Sequence, residues 1–284
     1  MRAVLGKLLS AACFNHPIIV SGASRSGTSV LLQALGRHPA IVSLPGEAPY
    51  MTTIGGAGYI FNIGPDSQYY TNSLKFSKSH MHDMLKRFCF EYAAGRHYGL
   101  TLFLRGLAGK EFSYLNKKYW CAKTFPDVNS CLGLLELYPD MKIVYILRNG
   151  IDVVESRTRY AGFKDNMFED HCRQWAHTVE KYRYLSKLDC VMSVRHEALV
   201  ENPEKMFRDI FDFLKISFCK GPLDFVKNTL VHPFDHPTQE NLSVKTAFEN
   251  RPSPYDHWSE KKRHIFNSIC GRLMDEVGYR ISST

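Results

Sequence analysis

Residues 17–31 of the chain read PIIVSGASRSGTSVL. Residues 17–20 form a short apolar run, and Ser21-Gly22 closes it, which predicts a buried strand followed by a loop. Val30, Leu31, Ala34 and Leu35 then repeat at helical spacing. The segment is therefore predicted to form a strand, a loop and a helix in that order.

The same alternation of strand and helix continues along the chain. Lys142–Leu147 is β-branched and almost continuously apolar, as expected for a strand buried on both faces of a parallel sheet. Shorter strand patterns lie at residues 119–122 and 190–194, and helical spacing occurs between and after them. We predict an α/β fold with a mainly parallel sheet flanked by helices. The 284 residues are expected to form one domain, with its core in 16–215 and a C-terminal loop and closing helix in 216–284.

The loop from Gly22 to Ser29 has the composition of a phosphate-binding loop. Its backbone N–H groups and the positive end of the following helix can hold a phosphate. It differs from a Walker A loop, because Thr28 replaces the lysine after the second glycine and the cation, Arg25, lies inside the loop. No carboxylate follows the strand that ends at Leu147, where Arg148 would repel Mg²⁺. The pattern favours an anionic donor bound without a metal, although an ordinary strand-to-helix turn has a similar composition.

A second candidate phosphate ligand pair follows the strand at 142–147. Arg148 comes directly after it, and Ser156 lies eight residues later along a predicted helix. Both side chains can reach one phosphate. Considered alone, the pair would be interpreted as a surface arginine and a neutral helix residue, and the phosphate role depends on the combination of the two motifs.

Together the two motifs resemble the sulfotransferase family. The resemblance rests on Arg25-Ser26-Gly27-Thr28-Ser29 after one strand and on Arg148 with Ser156 after another, and in outline it spans residues 16–215. Further matching segments are His38-Pro39, Lys123-Thr124 with Pro126, His196-Glu197-Ala198-Leu199 and Asn202-Pro203. The resemblance implies a P-loop-type fold that works without metal. It also implies that the first motif binds the 5′-phosphosulfate of 3′-phosphoadenosine-5′-phosphosulfate (PAPS) and the second its 3′-phosphate.

The resemblance also implies roles for individual residues. The donor, and its product 3′-phosphoadenosine-5′-phosphate (PAP), would be bound by Arg25, Ser26, Gly27, Thr28, Ser29, Arg148, Ser156 and His196. Among the catalytic residues, Arg25 would serve the 5′-phosphate and Lys123 would span the transferred group and the leaving oxygen. A surface lysine at the end of a strand is the alternative for Lys123. Many cytosolic members have lysine at the position of Arg25, so this chain is more similar to the bacterial, carbohydrate and tyrosyl branches. Many relatives have tyrosine at the position of His196. This difference puts in doubt whether His196 stacks on the adenine.

Glu47 is the candidate general base. It lies in the segment Leu44–Pro49, just beyond the strand-like residues 41–43, and it resembles the glutamate used by the bacterial, carbohydrate and tyrosyl branches. The Pro-Gly pair before it would stiffen a loop. Rival bases are His80, His82 and His97, since cytosolic relatives use histidine, and a solvated loop glutamate remains the alternative for Glu47.

Composition sets limits on the partners. The formal net charge of +8 favours an anionic partner, but no long basic run is present, so nucleic acid is not expected. Eight cysteines without zinc-type spacing predict reduced, largely buried thiols and no metal site. A small-molecule or nucleotide kinase and a nonenzymatic nucleotide-binding scaffold stay open as alternatives, while the acceptor is expected to offer a hydroxyl group.

The location of the protein is less constrained by the sequence. The apolar stretch at residues 1–14 contains Lys7 and is shorter than the ~20 residues that a membrane-spanning helix needs. We therefore expect no transmembrane segment and a cytoplasmic protein. The sequence Asn241-Leu242-Ser243 is a glycosylation sequon and keeps a luminal Golgi location as the alternative. Neither the oligomeric state nor the acceptor can be predicted.

Overall fold

The computed structural model of the chain describes residues 16–52, 56–57, 79, 82–83, 85–86, 89, 117–163, 165–228 and 253–281. The strands within this part are β1 (Pro17–Gly22), β2 (Ile41–Glu47), β3 (Tyr119–Lys123), β4 (Lys142–Leu147) and β5 (Val191–Arg195). The helices are α1 (Thr28–Leu35), α2 (Val128–Leu137), α3 (Gly150–Thr158), α4 (Phe168–Leu185), α5 (His196–Glu201), α6 (Pro203–Leu214), α7 (Gly221–Asn228) and α8 (Glu260–Glu276). Short 3₁₀ turns occupy Pro49–Met51, Ala161–Phe163 and Pro254–His257.

The strands form one parallel sheet in the order β2-β3-β1-β4-β5. This confirms the predicted α/β class and the parallel sheet flanked by helices. All six residues of β1 and five of the six in β4 are buried, as the apolar runs predicted. In open parallel sheets, ligands bind beyond the carboxyl ends of the strands. Gly22 and Leu147, which end β1 and β4, directly precede the two candidate motifs.

The chain divides into two compact units, Met1–Ser21 with Leu32–Val144 and Gly22–Leu31 with Tyr145–Thr284. In the first unit, Trp120 of β3 is fully buried and meets the ring of Tyr138 edge-on, with centroids 6.2 Å apart. Helix α2 begins with a capping box, in which Asp127 accepts a hydrogen bond from the Ser130 backbone N–H and Ser130 accepts one from that of Asp127. These contacts fix the helix that follows Lys123.

The second unit has its own core, in which α3, α4 and α8 pack together. Its members include Val154, Trp175, Phe266 and Met274, all at most 2% exposed. The indole N–H of Trp175 donates to the backbone oxygen of Arg148 at 3.3 Å, so the core is tied directly to the residue that follows β4. The packing is close, because a Cβ on Gly150 would lie only 2.9 Å from the Trp175 ring.

Two further expectations can be checked in the described part. Of the seven cysteines there, all except the partly exposed Cys219 are buried, which agrees with the prediction of largely buried thiols. None of the helices in this part is long and apolar enough to cross a membrane. Residues 1–14 and the sequon at Asn241 lie outside the described residues.

Candidate active site

The loop between β1 and α1 has an unusual backbone. Gly22, Arg25 and Gly27 have φ angles of +146°, +74° and +90°. Glycine is required at two of these positions, because a Cβ on Gly22 would lie 2.3 Å from the backbone oxygen of Ile146 and one on Gly27 would lie 2.9 Å from Cδ2 of His196. Arg25 adopts the left-handed conformation despite its side chain, which is the kind of strain found at functional sites.

The second unit brings Arg25, Arg148 and Ser156 together. Nε of Arg25 donates to the Ser156 hydroxyl at 3.1 Å, and Arg148 donates from a terminal nitrogen to the Arg25 backbone oxygen at 2.8 Å. The Arg25 guanidinium also lies over the ring of Tyr160, 4.7 Å from its centroid. Burial, and to a smaller extent Arg148, lowers the pKa of Arg25, while Tyr160 acts in the opposite direction. The two predicted phosphate motifs therefore meet at Arg25.

Polar atoms of this loop fit a multiply charged anion. Ser26 is fully buried, and its hydroxyl oxygen has no hydrogen-bond partner in the described structure. Nε of Arg148 is also buried without a partner there. Buried polar groups are normally hydrogen-bonded, so these atoms are available to the oxygens of a ligand. Thr28 is 4% exposed and begins α1, where the helix end favours negative charge, and the partly buried Ser29 follows it.

His196 begins α5 and packs against Gly27. Its ring lies nearest to the position that a Cβ on Gly27 would occupy. That Cβ would be 2.9 Å from Cδ2 and 3.4 Å from Nε2 of His196. Burial, and then the positive charge of Arg148, lowers the pKa of His196 to about 3. The imidazole is therefore neutral at physiological pH, which suits contact with a neutral base or a backbone group.

This lowered pKa makes a pH prediction. Between pH 6.5 and pH 3 the unfolded chain binds a proton at His196 that the folded protein does not, so the folded state should lose stability as the pH falls through that range. In His196→Gln this part of the acid dependence should disappear. The slope of the free energy of unfolding against pH should then be smaller, by about 1 kcal/mol per pH unit. Denaturant unfolding of both proteins from pH 7 to pH 4 measures it. Parallel slopes for the two proteins would contradict the assignment.

Glu197 is a site residue that the sequence did not single out. Its carboxylate accepts hydrogen bonds from the Asn149 backbone N–H at 2.9 Å and from the Tyr279 hydroxyl at 2.7 Å. It therefore fixes the residue after Arg148 and ties it to the C-terminal end of the described chain. The only sequence signal was its position beside His196 in a matching segment.

The first unit brings Lys123 and Glu47 together. Lys123 ends β3, and its ammonium lies 3.1 Å from a carboxylate oxygen of Glu47. The lysine side chain is 13% exposed and that of Glu47 is 54% exposed, so the carboxylate is accessible to a substrate while the lysine is mostly enclosed. Thr124 supports the pair by donating to the Ala48 backbone oxygen at 3.0 Å. A carboxylate paired with a cation is a suitable arrangement for proton transfer beside a developing negative charge.

The placement of Glu47 differs from the expectation in one respect. It was predicted in a loop beyond residues 41–43, but β2 continues through it, with a register shift between Ser43 and Glu47. Pairing with β3 resumes at Glu47, which is opposite Lys123, so the sheet and not an isolated loop holds the carboxylate. Among the rival bases, Nε2 of His82 is buried, while His80 and His97 lie outside the described residues.

Comparison with known protein families identifies the family of this chain. A family model described as "Sulfotransferase family" matches residues 17–220, well over half of the chain. The chain belongs to the sulfotransferase family. The match covers both predicted phosphate motifs, Glu47 and Lys123 of this sulfotransferase, and it ends at residue 220, slightly beyond the end of the predicted core of 16–215.

Solved structures show where the fold of this sulfotransferase recurs. The sulfotransferase domain of the Synechococcus PCC 7002 olefin synthase is 17% identical, with a TM-score of 0.56 and coverage of 94% of this chain and 96% of the other. The sulfotransferase domain from the curacin biosynthetic pathway is 16% identical, with a TM-score of 0.51 and coverage of 94% and 98%. Mouse sulfotransferase SULT7A1, complexed with PAP, is 13% identical, with a TM-score of 0.53 and coverage of 98% and 91%. A search of curated proteins gave no match.

Proposed function

We propose that this sulfotransferase moves a sulfuryl group from PAPS to an acceptor hydroxyl, by in-line transfer without a metal. The observation that carries the proposal is the meeting of Arg25, Arg148 and Ser156 in one cluster, next to buried polar atoms of Ser26 and Arg148 that have no partner in the described part. A donor with phosphate groups at both its 5′ and 3′ positions would satisfy these groups. The PAP bound to the structurally similar mouse enzyme supports this choice of donor.

Each cluster then has a distinct role. Arg25, Ser26, Gly27, Thr28 and Ser29 hold the 5′ end of the donor, and Arg148 with Ser156 holds its 3′-phosphate. His196, neutral beside Gly27, contacts the nucleotide. When bound, the donor supplies the sulfuryl group. Glu47 accepts the proton of the acceptor hydroxyl, while Lys123 and Arg25 stabilise the negative charge that develops on the leaving oxygen.

The role of Arg148 is tested by removing its guanidinium. A charged hydrogen bond contributes about 1.5–3 kcal/mol, so Arg148→Ala should weaken PAP binding about ten- to a hundredfold. Affinity for 5′-AMP, which lacks the 3′-phosphate, should be nearly unchanged in calorimetric titrations. The matched control is Arg208→Ala, because Arg208 is half-exposed and paired with Glu204 on α6. An equal loss for both nucleotides would show a general disturbance of the loop and would reject the 3′-phosphate role.

Metal independence is a separate prediction. The loop has Thr28 where a nucleoside-triphosphate loop has lysine, and Arg148 instead of a carboxylate follows β4. We expect turnover to be unchanged in excess chelator. A loss of turnover that Mg²⁺ restores, and that matched ionic strength does not, would favour the kinase alternative. Thermal stabilisation by PAP compared with that by ATP and Mg²⁺ gives a second, activity-independent comparison.

The acceptor is the open part of the proposal. Carbohydrate, tyrosyl peptide, lipid and phenolic hydroxyl groups are all compatible with the half-exposed Glu47 carboxylate. Incubation of acceptor pools with PAPS labelled in its sulfuryl group identifies which class accepts the label.

A cytoplasmic location also remains a prediction, and imaging of the tagged full chain tests it against the Golgi lumen.

A further inference from the structure

The turn that follows α3 presents two aromatic rings side by side. The Tyr160 backbone N–H donates to the Arg157 backbone oxygen at 3.2 Å, and that of Phe163 donates to the Tyr160 oxygen at 2.9 Å, which closes the 3₁₀ turn Ala161–Phe163. The Tyr160 and Phe163 rings lie with their centroids 5.2 Å apart. The turn is therefore a compact aromatic platform, defined here as Tyr160 and Phe163.

Each ring of the platform lies under an arginine from a different element. The Arg25 guanidinium carbon is 4.7 Å from the centroid of Tyr160, and that of Arg157 is 4.2 Å from the centroid of Phe163. Arg25 belongs to the phosphate loop, and Arg157 is the residue after Ser156 on α3. Cation–π contact restricts the motion of both side chains, so the two guanidinium groups are held over neighbouring rings.

Arg157 lacks a negative partner within the described part of the chain. It is only 6% exposed, no carboxylate there lies within ion-pair distance, and its Nε is buried without a hydrogen bond. Burial, followed by the charge of Arg25, lowers its pKa. The adjacent His171 is 1% exposed, and burial and Arg157 lower its pKa, so it remains neutral. A desolvated cation beside another cation is unfavourable unless an anion joins them.

We propose that Arg157 is a further ligand of the 5′-phosphosulfate of the donor, acting as a pair with Arg25, and that the aromatic platform positions both. The proposal rests on the proposed function, since it takes PAPS as the donor. Arg25 and not Arg148 is the arginine that shares the platform with Arg157, and this favours the 5′ end over the 3′-phosphate.

The test compares PAP with 3′-AMP, which lacks the 5′-phosphate. In calorimetric titrations Arg157→Met should weaken PAP binding about ten- to a hundredfold, the effect of losing a charged hydrogen bond, with little change for 3′-AMP. The matched control is Arg159→Met, because Arg159 lies two residues away, is 70% exposed and pairs with Glu155. Phe163→Leu keeps an apolar side chain without the ring face and should cause a smaller loss, again for PAP alone.

The possible outcomes separate the two proposals. PAP affinity that is unchanged in Arg157→Met, or that falls equally with 3′-AMP affinity, overturns the role of Arg157 and leaves PAPS as the donor. Wild-type protein that does not bind PAP overturns the donor assignment, and the role of Arg157 with it. If the methionine variant does not fold, Arg157→Gln keeps a polar side chain without the charge and gives the same comparison.

Discussion

Glu47→Gln should lose about 10²–10⁴-fold in turnover, the range typical for removal of a general base, while PAP affinity is retained. The amide has nearly the same shape as the carboxylate but cannot accept the proton of the acceptor hydroxyl. It can still accept a hydrogen bond from Lys123, whose ammonium is 3.1 Å from the carboxylate in the wild type. Initial rates with labelled PAPS, combined with titrations of PAP, separate the loss of turnover from any loss of binding.

The control for this variant is Glu136→Gln, because Glu136 is an exposed glutamate of the same unit, on α2. It should keep normal turnover. Near-normal turnover of Glu47→Gln across the pH range would remove Glu47 from the mechanism. The same substitution would then be applied to His82 and to His80 and His97.

Lys123→Met should reduce turnover by about 10²–10³-fold, comparable to the loss of one preorganised donor in an active site. The lysine is only 13% exposed, so its charge is weakly screened by water and acts strongly on nearby negative charge. Lys123 also holds Glu47, so the two substitutions should not act independently. The double variant Lys123→Met/Glu47→Gln should therefore lose less turnover than the product of the two single fold-losses.

Lys118→Met is the matched control for Lys123, since Lys118 directly precedes β3 and is exposed, with its ammonium beside the Tyr119 ring. Its turnover should be unchanged. Two findings would contradict the assigned role. One is normal turnover of Lys123→Met, and the other is a loss that comes entirely from weaker PAP binding.

The architecture was predictable because its signals are local. The β-branched run Lys142–Leu147 is β4 at the predicted bounds, and the first strand, loop and helix lie where residues 17–35 placed them. Arg148 and Ser156 were expected to meet one phosphate, and both contact Arg25. The two side chains lie close together because the end of a strand and one helical face fix their directions. That they bind one phosphate stays a prediction.

The remaining site contacts were not predictable, because they join residues far apart in sequence. Tyr160 reaches Arg25, and Glu197 links Asn149 to Tyr279, through the packing of separate elements. The pairing of Glu47 with Lys123 depends on strand register. The Pro-Gly pair in residues 44–49 favoured a loop there, so the sequence did not predict this register. Composition and periodicity carry no information on such register shifts.

The irregular part of β2 has an evolutionary consequence. From Ser43 to Glu47 the chain advances four residues, while β3 advances two, from Cys121 to Lys123. The extra length lies outside the ladder, where an insertion or deletion changes no other strand pairing. Related enzymes could therefore lengthen or shorten this segment to move the carboxylate toward acceptors of different size, with the sheet and the donor loop kept as they are.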